Sequence, residues 1–261
     1  MIKIPQLKSK SKLKANVLRL VSKRYKIRSA IAQEPEPIRR VFGDCIMTGD
    51  KKLLFLRNHK AGCTTASKMI VDYSTGDFSG AVFTHREGIY YGERDYFDIR
   101  QGFDSELTYC FSIVRNPLDR LKSAYTNIFV DKNNGAYPTN LRAMIARGYK
   151  NDGDINRNFE IFVDFVQEAI SETRLNCNPH WREQHINIGC NYLPYDFIAK
   201  IENYNDDIQH IFNSAGLGAY LSTIDLKKRR NPSSRVDLDV HTALKSKIEK
   251  LYAKDYELFG Y

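Results

Sequence analysis

The stretch from Lys51 to Thr65, KKLLFLRNHKAGCTT, constrains the fold more than any other part of the chain. Leu53, Leu54, Phe55 and Leu56 form an unbroken apolar run behind two lysines, the pattern of a strand buried on both faces of a parallel sheet. The run ends abruptly in Arg57, Asn58, His59 and Lys60. Ala61, Gly62 and Cys63 follow, and Thr64 and Thr65 open a predicted helix that continues through Val71. A strand, a tight glycine turn and a helix with hydroxyl residues at its start make an anion site. Free backbone N–H groups point out of the helix N-terminus, and Lys60 adds a full charge. The stretch reads as a phosphate cradle; the plainer alternative is an ordinary strand-to-helix turn with Arg57 and Lys60 solvated. It is not a G-x-x-x-x-G-K-[ST] loop, because the lysine precedes the glycine, and this disfavours a nucleoside triphosphatase of the common type.

A second element repeats the pattern. Tyr109 to Arg115 (YCFSIVR) is another apolar strand, and Asn116, Pro117 and Leu118 turn straight into a helix through Tyr125, with Pro117 in the first turn where its missing N–H costs nothing. Arg115 ends the strand, and Ser123 lies about two helical turns on from Asn116. Open α/β sheets bind ligands beyond the carboxyl ends of their strands. A guanidinium and a hydroxyl placed there suit a second phosphate group.

In these two elements the chain resembles a known family. Arg57 to Thr65 is similar to the 5′-phosphosulfate loop, and Ile113 to Tyr125 to the 3′-phosphate element, of sulfotransferases that use 3′-phosphoadenosine 5′-phosphosulfate (PAPS). The likeness is strongest to the Golgi-type carbohydrate sulfotransferases of sulfotransferase family 2. His180-Trp181-Arg182-Glu183-Gln184, Tyr195 to Asn203 and Tyr252 to Tyr261 support that narrower match, in the same order along the chain. The resemblance implies a PAPS donor, no metal, and a carbohydrate acceptor. It implies that Arg57, Lys60, Ala61, Gly62, Cys63, Thr64, Thr65, Arg115 and Ser123 contact the donor, with Arg229 and Arg230 closing over the 3′-phosphate from a basic loop.

Two roles are assigned beyond the donor. Gly80 to Thr84 reads as a short strand, which places His85 on the same rim as Lys60 and Arg115. Transfer of sulfate to a hydroxyl needs a base, and His has the suitable unperturbed pKa. His85 is the candidate, with His180 and His185 in reserve. His180, Trp181, Gln184 and Glu202 form the candidate acceptor-binding set: an indole face stacks on sugars, and polar side chains bond their hydroxyls. Trp181 has an alternative as an anchor of its loop to the core, and Glu202 as a solvated carboxylate at a helix start.

With 261 residues and 42% hydrophobic content the chain suits one large domain with a sizeable core. The expected fold is α/β, a single P-loop-like domain whose short parallel β-sheet is flanked by helices on both faces. Residues 1–40 read as a basic N-terminal arm and linker, and 41–261 as the sulfotransferase domain. The net charge of +9 implies anionic partners, which a nucleotide or an acidic glycan satisfies; nucleic acid is the generic alternative and a nucleotide-dependent kinase of related fold is another. Residues 1–30 contain no apolar run near the roughly 20 residues that span a bilayer. A soluble, cytoplasmic, bacterial enzyme is therefore expected, with the basic arm frayed or weakly helical, or else in peripheral contact with an anionic membrane. Five cysteines without a C-x-x-C pair fit a reduced compartment and no zinc site. Asn127 to Gly153 is polar and reads as a mobile surface segment. Phe159 to Ile170 has apolar residues at helical spacing and reads as a core helix.

Overall fold

Leu53, Leu54, Phe55 and Leu56 are all fully buried, because the strand they form lies inside the sheet with both faces covered. The computed structural model describes residues 22–77, 87–132, 134–224 and 236–261. Within them the strands are β1 (Cys45–Thr48), β2 (Leu53–Leu56), β3 (Ile89–Tyr91), β4 (Tyr109–Val114) and β5 (Phe197–Lys200). They form a five-stranded sheet in the order β3-β1-β2-β4-β5. β2, β4 and β5 run parallel, with Leu56 opposite Ser112 and Val114 opposite Lys200. β1 is antiparallel to both β2 and β3, so the sheet has a parallel core and an antiparallel edge. The reason is local. Only Gly49 to Lys52 separate β1 from β2, too short a link for a parallel crossover but enough for a hairpin.

The helices are α1 (Lys23–Ile31), α2 (Cys63–Thr75), α3 (Tyr96–Phe103), α4 (Pro117–Tyr125), α5 (Ala136–Ala146), α6 (Ile155–Thr173), α7 (Gln184–Asn187), α8 (Tyr204–Ser214), α9 (Gly218–Leu221), α10 (Thr242–Leu251) and α11 (Ala253–Phe259). Alternation along β2 assigns the two faces of the sheet. Leu53 and Phe55 pack with Ile70 of α2 and with Ile208 and Phe212 of α8, whereas Leu54 and Leu56 pack with Ile99 and Phe103 of α3. A third cluster is mainly helical, with Leu121 and Tyr125 of α4 against Phe159 and Phe162 of α6 and Ile248 of α10.

Two expectations change. Within the segment read as an arm, residues 23–31 are helical, and Ile27 and Ile31 are buried beside Ile99 and Phe103, so this turn of chain packs on the domain. The polar segment 127–153 holds α5, and Phe129, Met144 and Tyr149 enter the helical core. Ile128, Phe129, Met144 and Tyr149 are spaced so that they reach that core, which outweighs the polar residues between them, while Ile145 stays exposed. All five cysteines are free thiols. No helix among the described residues is long and apolar enough to cross a membrane.

Candidate active site

The turn between β2 and α2 is shaped by two left-handed residues, Lys60 at φ 67° and Gly62 at φ 76°. A Cβ at Gly62 would meet Ile201 Cδ1 at 3.0 Å, a tight contact from which the isoleucine would have to give way, and the left-handed φ adds strain for any other residue type. No side chain caps α2; the Ala61 N–H donates to the Asn58 carbonyl at 3.3 Å and the Thr65 N–H to that of Gly62 at 3.1 Å, which leaves the N–H groups of Cys63 and Thr64 to face a ligand or water. Lys60 is half-buried beside them. Burial, with the neighbouring charges of Arg115 and Arg120, pulls its ammonium down to about 8, partly opposed by Cys63 and Asp131. The turn concentrates positive charge and free donors at one rim of the sheet.

Arg115, at the end of β4, reaches the same place. Its Nη1 donates to the carbonyl of Lys60 at 3.4 Å, which joins the two anion elements directly. Asn116 caps α4 by accepting from the N–H groups of Leu118 at 3.1 Å and Asp119 at 3.3 Å. Ser123 is half-buried on α4. Glu202 accepts the Asn116 N–H at 2.8 Å and the Tyr261 hydroxyl at 2.9 Å. It therefore braces the β4–α4 turn while remaining exposed.

Several other candidates are placed differently from the sequence reading. Arg57 is buried, donates to the Tyr91 hydroxyl at 2.9 Å and lies 3.6 Å from Asp44, so its charge is committed to a carboxylate. Trp181 is only 2% exposed and meets Phe162 and Phe165 edge-on, with ring centres 5.7 and 5.6 Å away. It anchors its loop to the helical core, and no indole face remains for a sugar. Gln184 is fully buried and bonds to Asn58 and Arg115, which removes it from the acceptor set. The reasons lie far along the chain: α6 packs on Trp181, whose carbonyl accepts the Tyr252 hydroxyl at 2.6 Å, and Asp255 of α11 accepts the Gln184 N–H at 2.7 Å.

The reserve histidines are engaged. His180 Nδ1 lies 2.7 Å from Asn178 Oδ1, and its Nε2 lies 3.2 Å from the Asn134 amide nitrogen. Burial, then the charges of His59, Lys60 and Arg120, pull its pKa down to about 3, so it is neutral at pH 7 and a weak proton acceptor. His185 Nδ1 sits 2.7 Å from Asp255. His85, Arg229 and Arg230 lie outside the described residues, as does the Gly80 to Thr84 strand. Among the described residues no group of three or more His, Cys, Asp or Glu side chains could hold a metal ion.

Two supporting residues escaped the sequence reading. Arg120 is 2% exposed, and its guanidinium donates to three main-chain carbonyls: Nε to His59 at 2.9 Å, Nη1 to Arg182 at 2.9 Å and Nη2 to Pro179 at 2.7 Å. Asn58 Nδ2 donates to the Ile113 carbonyl at 3.1 Å and to Gln184 Oε1 at 2.9 Å. The only hint in the sequence is that Arg120 sits beside Leu121 and four residues before Ala124, on the apolar side of α4.

A parallel-core α/β sheet whose rim gathers an uncapped helix start, a lysine and an arginine is suited to hold an anionic group. The chain belongs to the sulfotransferase family, whose sequence model matches residues 43–261. It is 24% identical over 228 residues to carbohydrate sulfotransferase 9 of Homo sapiens, covering 80% of this chain and 51% of that relative. It is 26% identical over 159 residues to carbohydrate sulfotransferase 14 of Danio rerio, covering 58% and 43%, and 25% identical over 266 residues to carbohydrate sulfotransferase 8 of Mus musculus, covering 94% and 62%. The chain thus spans about half the length of the curated relatives it matches. No solved structure gives a significant match.

Proposed function

We propose that the chain transfers the sulfuryl group of PAPS to a hydroxyl of a carbohydrate. The observation that carries this reading is the contact between Arg115 and the Lys60 carbonyl, which brings a cation from each of the two anion elements to one rim. In this reading Lys60 and the first N–H groups of α2 neutralise the phosphate oxygen that leaves as sulfur is transferred, by the positioning and electrostatics that serve phosphoryl transfer. Arg115 and Ser123 hold the 3′-phosphate, and Arg229 and Arg230 close over it. His85 takes the proton of the acceptor hydroxyl. The names of the relatives support a carbohydrate acceptor. The test is titration calorimetry with 3′-phosphoadenosine 5′-phosphate against adenosine 5′-phosphate and ATP–Mg²⁺, followed by a carbohydrate acceptor screen with sulfur-labelled PAPS. Equal affinity for all three nucleotides would sink the donor assignment.

Arg115→Ala should weaken binding of the bisphosphate by at least about 1.5 kcal/mol, the lower end for a hydrogen bond to a charged group. Unchanged affinity in the same titration would remove Arg115 from the 3′-phosphate. Binding should also depend on pH through Lys60, which is pulled down to about 8 in the free protein. A bound phosphate favours the charged ammonium and raises that value, so binding takes up a proton near and above pH 8. Affinity is therefore full below about pH 8 and declines as pH rises through it. Titrations in two buffers of different ionisation enthalpy read the proton directly, and an affinity flat from about pH 7 to about pH 9 would contradict the linkage.

A further inference from the structure

We infer that Gln184 is a positioning residue that holds the two anion-binding turns in fixed register, and so sets the preference for a nucleotide carrying both a 5′- and a 3′-phosphate over one carrying the 5′-phosphate alone. The inference rests on the donor reading above.

The geometry is that of a missing strand. Sheet pairing between β4 and β5 ends at Val114 opposite Lys200, one residue before Arg115. There the Gln184 side chain takes over. Its Oε1 accepts the Arg115 N–H at 2.9 Å, and its Nε2 donates to the Arg115 carbonyl at 2.7 Å, so one amide satisfies both main-chain groups of the residue. The same Oε1 accepts from Asn58 Nδ2 at 2.9 Å, and Asn58 lies in the turn that carries Lys60. The amide therefore bridges the ends of β2 and β4 at the level where the two cations project.

The bridge is itself fixed. Asp255, fully buried on α11, accepts the Gln184 N–H at 2.7 Å and the His185 N–H at 3.0 Å, and His185 Nδ1 lies 2.7 Å from the same carboxylate. Asn187 Nδ2 donates to Asn58 Oδ1 at 3.2 Å from the other end of α7. A fully satisfied polar network in a dry interior is stiff, and groups behind a binding residue tune it through its orientation. A ligand touching one turn gains little from such a bridge. A ligand touching both gains from their spacing being set in advance.

The experiment is calorimetric titration of the parent protein and Gln184→Met with 3′-phosphoadenosine 5′-phosphate and with adenosine 5′-phosphate. Methionine is similar in length and neutral but makes none of the three bonds. The preference for the bisphosphate should fall about tenfold, while the affinity for adenosine 5′-phosphate stays within about threefold. A residue that only stabilises the core would lower both affinities together, or neither, and an unchanged preference in a folded variant overturns the inference. Should Gln184→Met not fold, Asp255→Ala, which removes the acceptors of the Gln184 and His185 N–H groups and lies behind Gln184, carries the same test. A fall of about threefold in the preference is expected there, and an unchanged ratio overturns the inference. A parent protein without any preference for the bisphosphate would instead overturn the donor reading.

Discussion

Lys60→Ala is expected to lower sulfuryl transfer about a hundred- to a thousandfold, the scale of removing a principal charge-stabilising group from a transition state. The same substitution should leave the fold intact, and the physical state of Lys60 says why. Its ammonium is pulled from an ordinary 10.5 down to about 8, first by burial. Because the folded value lies below the unfolded one, folding disfavours the charged form. That cost is fully present below about pH 8 and is relieved as pH rises from there toward 10.5. Removing the charge at pH 7 therefore does not destabilise the protein, and a melting temperature equal to or above the parent's is expected. Alanine inherits the left-handed φ of 67°, so the backbone penalty is the same before and after. A transfer assay beside a thermal melt separates the outcomes. Activity within about tenfold of the parent would remove Lys60 from the mechanism, and a fall of many degrees would show the loss to be one of folding. A site that keeps a partly buried cation in a left-handed turn is spending stability on function.

What was legible in the sequence was the part governed by local rules. The apolar run at Leu53 to Leu56, the glycine turn after it and the proline at the start of α4 each announce their geometry within a few residues, and the parallel core of the sheet follows from them. The antiparallel edge was not read, although the short link from Gly49 to Lys52 permits nothing else. The cations split by what surrounds them. Lys60 and Arg115 are brought together at the rim, but Arg57, two residues past the apolar run, turns to Asp44 and Tyr91, partners distant in sequence or on another strand. Trp181, Gln184 and Glu202 are acceptor candidates by the chemistry of their side chains and the resemblance of their segments. Phe162 and Phe165 close over Trp181, Asp255 holds Gln184, and Tyr261 bonds the still exposed Glu202, and nothing local to residues 180–202 encodes those partners. A motif identifies which residues belong to a site, while the side of the fold each one serves depends on contacts that close over long separations.

The Arg120 clamp makes the second large prediction. Arg120→Met keeps a long apolar stem on α4 and strips the guanidinium donors from the carbonyls of His59, Pro179 and Arg182. Asn187 Nδ2 still donates to the Pro179 carbonyl at 2.9 Å and reaches that of Arg182 at 3.5 Å, so the His59 carbonyl is the one left without a donor. A buried acceptor left unpaired costs about 1–3 kcal/mol, and the variant should lose about 2 kcal/mol and melt roughly 4–8 °C lower. Activity should fall further than the folded fraction does, because Nε holds the carbonyl of the residue that precedes Lys60, and releasing it lets the phosphate turn move. Arg120→Lys separates charge from geometry. An ammonium restores the positive charge beneath the turn but is a point donor on a flexible stem, unable to span three carbonyls from one rigid fork. Its melting temperature should lie close to that of Arg120→Met. Full recovery by lysine would mean that the buried charge, and not the fork, is what the turn requires. A methionine variant melting within about 2 °C of the parent would show that water and Asn187 replace the guanidinium at these carbonyls, and the clamp would then have no energetic meaning.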